Sequence, residues 1–321
     1  MTRMVAMKIC VFGAGAVGGH IAARLAARGH EVSVVARGPH LAAMKEKGVT
    51  LLSGDERISG PVKEARGLQE AIFVALKANA LAAFADAAPA LVGADTAVVF
   101  CQNGIPWWYG PDLPRLDPGG KLRAAVPMRN AIGGVVYSAN EIAAPGVIKN
   151  NVPGSNMLVI GEVDDRQSTR ILELRSILEK SGMSSPPASD IRAAVWAKLL
   201  QNLATSTLCT ITESTVADMR ASPALAELAG CLAAEGRAIA QALGVDLKKA
   251  PERPGGGQSS GSIAHKPSML QDYERGRPME VEALLAAPLE FARVAGVAAP
   301  TLETIVALVA HKAAAKGLYG D

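Results

Sequence analysis

The chain has 321 residues, 49% of them hydrophobic and 20% charged, with a formal net charge of +3. That length points to two domains, and that composition to buried cores rather than a chain dominated by disorder. A charge this small, with no Lys/Arg run and no interleaving of aromatic and basic residues, gives no footing for nucleic acid or a membrane surface.

No apolar stretch reaches membrane-spanning length without charge. The opening MTRMVAMKICVF has the apolar character of a short signal peptide. It runs straight into a glycine loop with no cleavage-type ending, so it reads as the start of a strand. The four cysteines, Cys10, Cys101, Cys209 and Cys231, include no CxxC pair. No zinc or thioredoxin-like site is expected, and a reduced, cytoplasmic setting is the simple reading.

The first half alternates strand-like and helix-like pieces. KICVFGAG is a short apolar run ending in glycines, and AVGGHIAARLAARGH has helical periodicity up to Gly29. EVSVVAR is β-branched and reads as the next strand. AIFVAL and TAVVFCQ read as buried strands, with the Ala-rich helix NALAAFADAAPAL between them. This alternation implies a parallel sheet with right-handed crossovers. KLRAAVPM, EIAAPGVIKN and NMLVIGEV are expected to finish that sheet, and the polar EVDDRQS after them marks a boundary. Beyond it the pattern turns helical, in TRILELRSILEKSG, AAVWAKLLQNLATSTL, ALAELAGCLAAEGRAIAQALG, EVEALLAAPLEFARVAG and TLETIVALVAHKAAAKG. The expected architecture is α/β: a Rossmann-type dinucleotide-binding domain over 1–166 followed by an all-α domain over 167–321. The Gly/Ser-rich start of the segment before His265 reads as a mobile loop.

Gly13, Gly15 and Gly18 form G-A-G-A-V-G directly after a strand and at the opening of a helix. In that context the pattern is a dinucleotide signal. Gly13 allows the tight turn, Gly15 lets backbone approach a pyrophosphate, and Gly18 lets helix pack on strand. Ala14, Ala16 and Val17 complete the loop, whose helix N-terminus offers free N–H groups to phosphate. An NAD site usually carries an acidic residue at the end of the second strand, for the ribose 2′-OH. This chain has Ala36 and Arg37 there. Arginine suits a 2′-phosphate, so NADP is expected over NAD, unless Arg37 is simply a solvated charge.

AAVWAKLLQNLATSTL holds one charged residue, Lys198. On a helical wheel Lys198, Asn202 and Ser206 form one inclined stripe, and Ile191, Val195 and Leu199 share that side. An ammonium embedded in an apolar face needs a carboxylate or a polar opening nearby, or must snorkel to water. Pro278 suits the first turn of a later helix. On that helix Glu282 lies near Arg293, as an outward pair would, and Glu280 points the other way, beside Leu284 and Phe291. Glu280 is therefore a candidate partner for Lys198, or a glutamate placed to favour the helix dipole.

GAGAVGG, the LKA that ends in Lys77 and Ala78, the QNG containing Asn103, WAKLLQN and KPSMLQDYERGRPMEVE occur in that order. With these pieces the chain resembles the ketopantoate reductases (2-dehydropantoate 2-reductases) over nearly its whole length. The resemblance implies NADPH-dependent reduction of 2-dehydropantoate to pantoate, in pantothenate and coenzyme A biosynthesis, with a small 2-keto acid as substrate; the Ala/Leu-rich C-terminal helices suit either the face of a homodimer or the completion of the core. The resemblance also implies Lys198 as the catalytic proton donor and Glu280 as the carboxylate that contacts substrate and helps set the lysine's state. Asn202 resembles a ligand of a substrate hydroxyl, Ser268 a ligand of the substrate carboxylate, Asn103 a residue near nicotinamide and substrate, and Lys77 a cofactor-side lysine.

Two features depart from the family pattern. Ser206 stands where an Asn is expected, and Trp107, Trp108 and Tyr109 follow the Asn103 turn directly. Those aromatics suit a lid or apolar wall over the substrate, or a packed loop. Both departures leave room for a paralogue acting on another 2-keto acid. A non-catalytic NADPH-binding regulator is the remaining alternative, and it would need neither Lys198 nor Glu280.

Overall fold

A computed structural model describes residues 6–110, 113–252 and 265–320. In chain order the first elements are β1 (Lys8–Phe12), α1 (Ala16–Ala26), β2 (Glu31–Val35), α2 (Gly38–Lys47), β3 (Val49–Ser53), β4 (Glu56–Gly60), β5 (Lys63–Glu64), β6 (Ala71–Val74), α3 (Ala82–Leu91) and β7 (Ala97–Phe100). After α4 (Lys121–Ala125) come β8 (Ala131–Tyr137), β9 (Asn140–Ala144), β10 (Val147–Asn150), β11 (Met157–Glu162) and α5 (Thr169–Lys180). The helical part holds α6 (Ile191–Gln201), α7 (Thr207–Thr212), α8 (Val216–Ala221), α9 (Pro223–Ala242), α10 (Ser268–Glu274), α11 (Ala287–Val294) and α12 (Pro300–Ala314).

The main sheet has the order β11-β8-β7-β6-β1-β2-β5, parallel throughout except for β11, which runs antiparallel to β8. Its central strands are continuous apolar runs because both faces are covered: Ile9, Cys10, Val11, Ile72, Phe73 and Val98 are fully buried. The chain leaves β1 toward β2 on one side and returns at β6 on the other. This reversal is the arrangement at which open α/β sheets bind ligands, at the carboxyl ends of their strands.

A second sheet, β4-β3-β10-β9, was not legible from periodicity. EIAAPGVIKN forms its antiparallel β9–β10 pair rather than finishing the main sheet, and β8 takes the place expected for KLRAAVPM, whose first residues form α4. Helix α1 packs between the two sheets, against β1 and β2 on one side and β3, β4, β9 and β10 on the other. This explains its small side chains and its burial from Gly18 to Ala26. A Cβ on Gly18 would lie 2.3 Å from the Gly13 carbonyl oxygen, and one on Gly19 would lie 2.7 Å from Ile148 of the second sheet.

A buried polar network ties α1 to the strands around it. Arg24 Nε donates to His20 Nε2 at 2.7 Å, so His20 carries its proton on Nδ1 and donates to Asn140 Oδ1 at 2.7 Å. Asn140, Ser138, Asn150 and Asn156 continue the network.

Packing groups the described residues into two compact units. One holds 6–102, 119–191 and 251–252; the other holds 103–110, 113–118, 192–250 and 265–320. Besides residues 251–252, the division differs from a single cut at 166/167 in two longer segments. Helix α5 packs on β11 and so belongs with the sheet, and the segment after Gln102 packs with the helices. The architecture is α/β, a Rossmann-type domain followed by a helical one. No helix among the described residues is long and apolar enough to cross a membrane.

Burial pushes the His20 pKa down to about 4, with Asn140 acting against the shift and the Arg24 charge adding to it. Between pH 6.5 and about 4 the unfolded chain binds a proton that folded His20 refuses. Stability is therefore lost as pH falls through that window, by on the order of 3 kcal/mol. In urea unfolding at a series of pH values, His20→Gln flattens this part of the profile. His30, His40 and His265, also lowered by burial, remain in both proteins and cancel. Identical slopes would refute the assignment.

Candidate active site

The glycine loop sits at the carboxyl end of β1. The N–H groups of Gly13 and Ala14 both donate to the Val35 carbonyl at the end of β2, at 2.9 and 3.0 Å. Gly13 has φ +92°, and a Cβ there would come within 2.7 Å of Leu76, so the residue is required twice over. A Cβ on Gly15 would meet nothing within 4 Å. The first intrahelical bond runs from Gly19 N–H to the Gly15 carbonyl at 2.7 Å. The amides of Ala16, Val17 and Gly18 thus open the helix with no acceptor inside it. One open glycine, two glycines closed by backbone or side-chain contact, and a helix N-terminus fit a dinucleotide pyrophosphate.

Arg37 is exposed and is the N-cap residue of α2, in extended conformation, one residue beyond half-buried Ala36. Lys77 follows β6 and caps a short 3₁₀ turn at Ala78–Ala80. Its neighbour Leu76 is the residue that crowds Gly13. The loop, Arg37 and Lys77 therefore lie in the sheet unit, at the carboxyl ends of adjacent strands β2, β1 and β6.

The other predicted residues lie in the helical unit. Lys198 is half-buried on α6, whose Ala193, Ala194, Val195, Trp196 and Leu199 are all buried. Directly after α6 the helix widens into a π segment, Asn202–Ser206, before continuing as α7. A turn closed by i→i+5 bonds advances less per residue than an α turn. Ser206 is therefore carried back toward the line of Lys198 instead of running ahead of it along the expected stripe. Thr207 and Thr210 hydroxyls donate to the Leu203 and Ser206 carbonyls, at 2.5 and 2.6 Å, covering the loosened ladder. Ser206 is buried and Asn202 half-buried.

Glu280 also stands before a π segment, Glu282–Ala286, which leads into α11. The helix begins at Val281 and not at Pro278, and the Glu280 carbonyl accepts from Leu284 N–H at 3.1 Å. Glu280 therefore occupies a helix edge. Glu282 does not pair with Arg293: it accepts from Arg115 at 3.1 Å and from the Tyr319 hydroxyl, while Arg293 pairs with Glu303. The two π segments pack against each other, and α10, which opens at exposed Ser268, packs against the first of them. The Gly/Ser-rich loop expected before Ser268 lies outside the described residues.

Asn103 is half-buried at the start of the segment that joins the helical unit. The next residues are held by the second π segment: Ile105 N–H donates to the Ala283 carbonyl at 2.8 Å. Gly104 has φ +80°, and a Cβ there would lie 2.4 Å from that same oxygen. Trp107 and Trp108 are buried, at 1% and 2% exposure, so they form packed structure and not a lid. Trp196 of α6 donates its indole N–H to the Tyr109 hydroxyl at 2.7 Å, Phe291 of α11 packs tilted against Tyr109 with ring centroids 5.4 Å apart, and the Arg192 guanidinium lies over Trp108 and Tyr109. The departing loop thus ties the helix of Lys198 to α11. The sequence signal for this clamp was the glycine after Asn103 and the three successive aromatics. What they grip depends on contacts between residues more than eighty positions apart.

Gly104→Ala combines a left-handed backbone with a backbone clash and costs at least about 2 kcal/mol. Urea unfolding of the variant measures it. An unchanged midpoint would mean that the Asn103 turn is not held as described.

Comparison with known proteins agrees with the fold. A family model described as ketopantoate reductase PanE/ApbA matches residues 9–165, and its C-terminal counterpart matches residues 190–313. A 2-dehydropantoate 2-reductase of Mesorhizobium japonicum is 39% identical, covering 98% of this chain and 100% of its own. A crystal structure provisionally assigned as a ketopantoate reductase, from Ralstonia solanacearum, superposes with TM-score 0.87 at 30% identity, over 98% of this chain and 100% of the other. D-mandelate dehydrogenase, solved with NADH and anilino(oxo)acetate, shares the fold at TM-score 0.82 and 21% identity, over 98% and 100% of the two chains. The chain belongs to the ketopantoate reductase family, oxidoreductases that act on a 2-keto acid with a dinucleotide cofactor.

Proposed function

We propose that this protein reduces 2-dehydropantoate to pantoate with NADPH, the reductive step that supplies pantoate for pantothenate and coenzyme A. The observation that carries the reading is Lys198, half-buried beside the buried apolar Ala194, Val195 and Leu199 of α6 and set one turn before Asn202, where the π segment opens. An ammonium in that setting suits ketone reduction, which needs a proton donor whose charge stabilises the developing alkoxide.

When bound, the nicotinamide supplies the hydride. Lys198 donates a proton to the ketone oxygen, and its charge stabilises the alkoxide as it develops. Glu280, at the helix edge, hydrogen-bonds the substrate and orients the lysine. Asn202 receives the substrate hydroxyl, Ser268 the carboxylate, and Asn103, held through its neighbours by Ala283, the region where nicotinamide and substrate meet. The amides at the start of α1 take the pyrophosphate and Lys77 the cofactor side. Arg37 pairs with the 2′-phosphate. The choice of NADPH over NADH is supported by Arg37 and by the absence of an acidic residue at the end of β2.

A second reading, another 2-keto acid as substrate, is favoured by one observation. Ser206 is buried and shorter than the asparagine of the family pattern, and so leaves a different volume on the line of Lys198.

Following NADPH absorbance over a panel of 2-keto acids separates the readings. Preference for 2-dehydropantoate is expected, and preference for a different keto acid would move the substrate assignment to Ser206. Lys198→Met is expected to lower kcat about a thousandfold while leaving the NADPH dissociation constant unchanged. Loss of NADPH binding with no effect on turnover per bound complex would refute the proton-donor role. Arg37→Ala is expected to cut the NADPH-over-NADH preference by about ten- to a hundredfold, the worth of one or two charge-assisted hydrogen bonds. An unaltered ratio of kcat/KM values would reduce Arg37 to a solvated charge.

A further inference from the structure

His40 lies on the first turn of α2, three residues beyond Arg37, and is half-buried. Its imidazole has a bonded neighbour on each nitrogen. The Gly146 N–H donates to Nδ1 at 2.9 Å, and Nε2 lies 2.9 Å from the Ala14 carbonyl. Because an N–H points at Nδ1, that nitrogen carries the lone pair. The proton is therefore on Nε2, donated to Ala14. Only the neutral Nε2–H tautomer satisfies both bonds. Burial lowers the His40 pKa, with the Ala14 bond acting the other way, in keeping with a neutral ring.

Both ends of this bridge are significant. Gly146, at φ +75°, is fixed in the second sheet, where its carbonyl accepts from Thr50 N–H at 2.9 Å. Ala14 is the residue between the first two glycines of the dinucleotide loop and is fully buried. Its N–H is taken by Val35. With His40 on the Ala14 carbonyl and the Gly15 N–H donated to the Gly13 carbonyl at 2.7 Å, the peptide that leads into Gly15 is held at both of its polar groups. A flip of that peptide would lose the imidazole bond and would reorient Gly15, after which the free amides of Ala16, Val17 and Gly18 begin.

We infer that His40 is a positioning residue for the cofactor: its neutral imidazole hangs the glycine loop from the second sheet, holding the Ala14–Gly15 peptide so that the amides of α1 are preorganised for the dinucleotide pyrophosphate. The inference rests on the dinucleotide reading of that loop. It gives the second sheet a task in cofactor binding, which the glycine motif alone does not.

The test is direct NADPH binding, followed by the fluorescence of the reduced nicotinamide with no keto acid present, alongside thermal unfolding of the cofactor-free proteins. His40→Phe keeps the ring volume and removes both bonds. It is expected to weaken NADPH about tenfold, the worth of one well-placed hydrogen bond, and to raise KM for NADPH with kcat at saturation little changed. His40→Gln, which can donate to Ala14 and accept from Gly146, is expected to bind within about threefold of wild type. Should the Phe variant not fold, His40→Asn, too short to span both contacts, takes its place. Wild-type affinity in the Phe or Asn variant overturns the inference, as does equal weakening by Phe and Gln. A wild-type protein that binds neither NADPH nor NADH overturns the dinucleotide reading itself.

Discussion

A buried carbonyl that leaves the regular ladder of a helix or strand must find another donor, because its desolvation is otherwise uncompensated. The unusual geometry in this molecule is built around that requirement. At the glycine loop the Ala14 carbonyl is taken by His40. In the π turn after Lys198 the Leu203 carbonyl is taken by the Thr207 hydroxyl. In the π turn after Glu280 the Ala283 carbonyl is taken by the Ile105 amide. Each irregular turn lies within a few residues of a group proposed above to bind or react, and each is locked by a donor from elsewhere or from the next turn. The distortions are thereby fixed in shape rather than left to fluctuate, as positioning of reacting groups demands.

The first unit shows how far packing constrains this arrangement. Helix α1 serves two sheets at once, so it has no face available for large or charged side chains except where a charge can be paired internally. Its adjacent glycines answer to different neighbours, Gly18 to the loop and Gly19 to the second sheet. Its His20 and Arg24 are accommodated by bonding to each other, with His20 also bonded to Asn140 and Arg24 to the Ser181 carbonyl. In the helical unit the same logic applies to aromatics. The loop after Asn103 buries two tryptophans and sets Tyr109 against α6 and α11, so the backbone that carries Asn103 is anchored at both Ala283 and Trp196.

Much of this was legible in the chain. The strand, glycine loop, helix and second strand were readable because the loop's requirements are local: a tight turn, an open Cα and a close helix–strand contact fall within six residues. Helices α5, α9, α11 and α12 were readable from apolar periodicity. Lys198 stood out because a lone charge in an apolar helix is a local contradiction. Three things were not. The second sheet escaped because β3 and β10 pair across nearly a hundred residues. KLRAAVPM read as a strand because its short apolar run has no length to tell helix from strand. Glu280 was placed inside a helix because Pro278 is a good first-turn residue, yet the chain there is tied back through Met279 N–H to the Leu318 carbonyl and starts its helix later.

The sequence by itself determined the kinds of parts: a dinucleotide loop, an arginine in place of an acid after the second strand, and a helical half in which Lys198 sits on an apolar helix face. These follow from composition, spacing and steric rules that act over one or two turns. Only the tertiary structure decided how the parts are held. It assigned α5 to the sheet and the Asn103 segment to the helices, widened two helices into π turns, and placed His40 between the glycine loop and the second sheet. The reason is physical. Each of these outcomes depends on which distant donor meets an exposed backbone acceptor, and on which distant face covers an apolar surface, and neither is written in the local pattern of the chain.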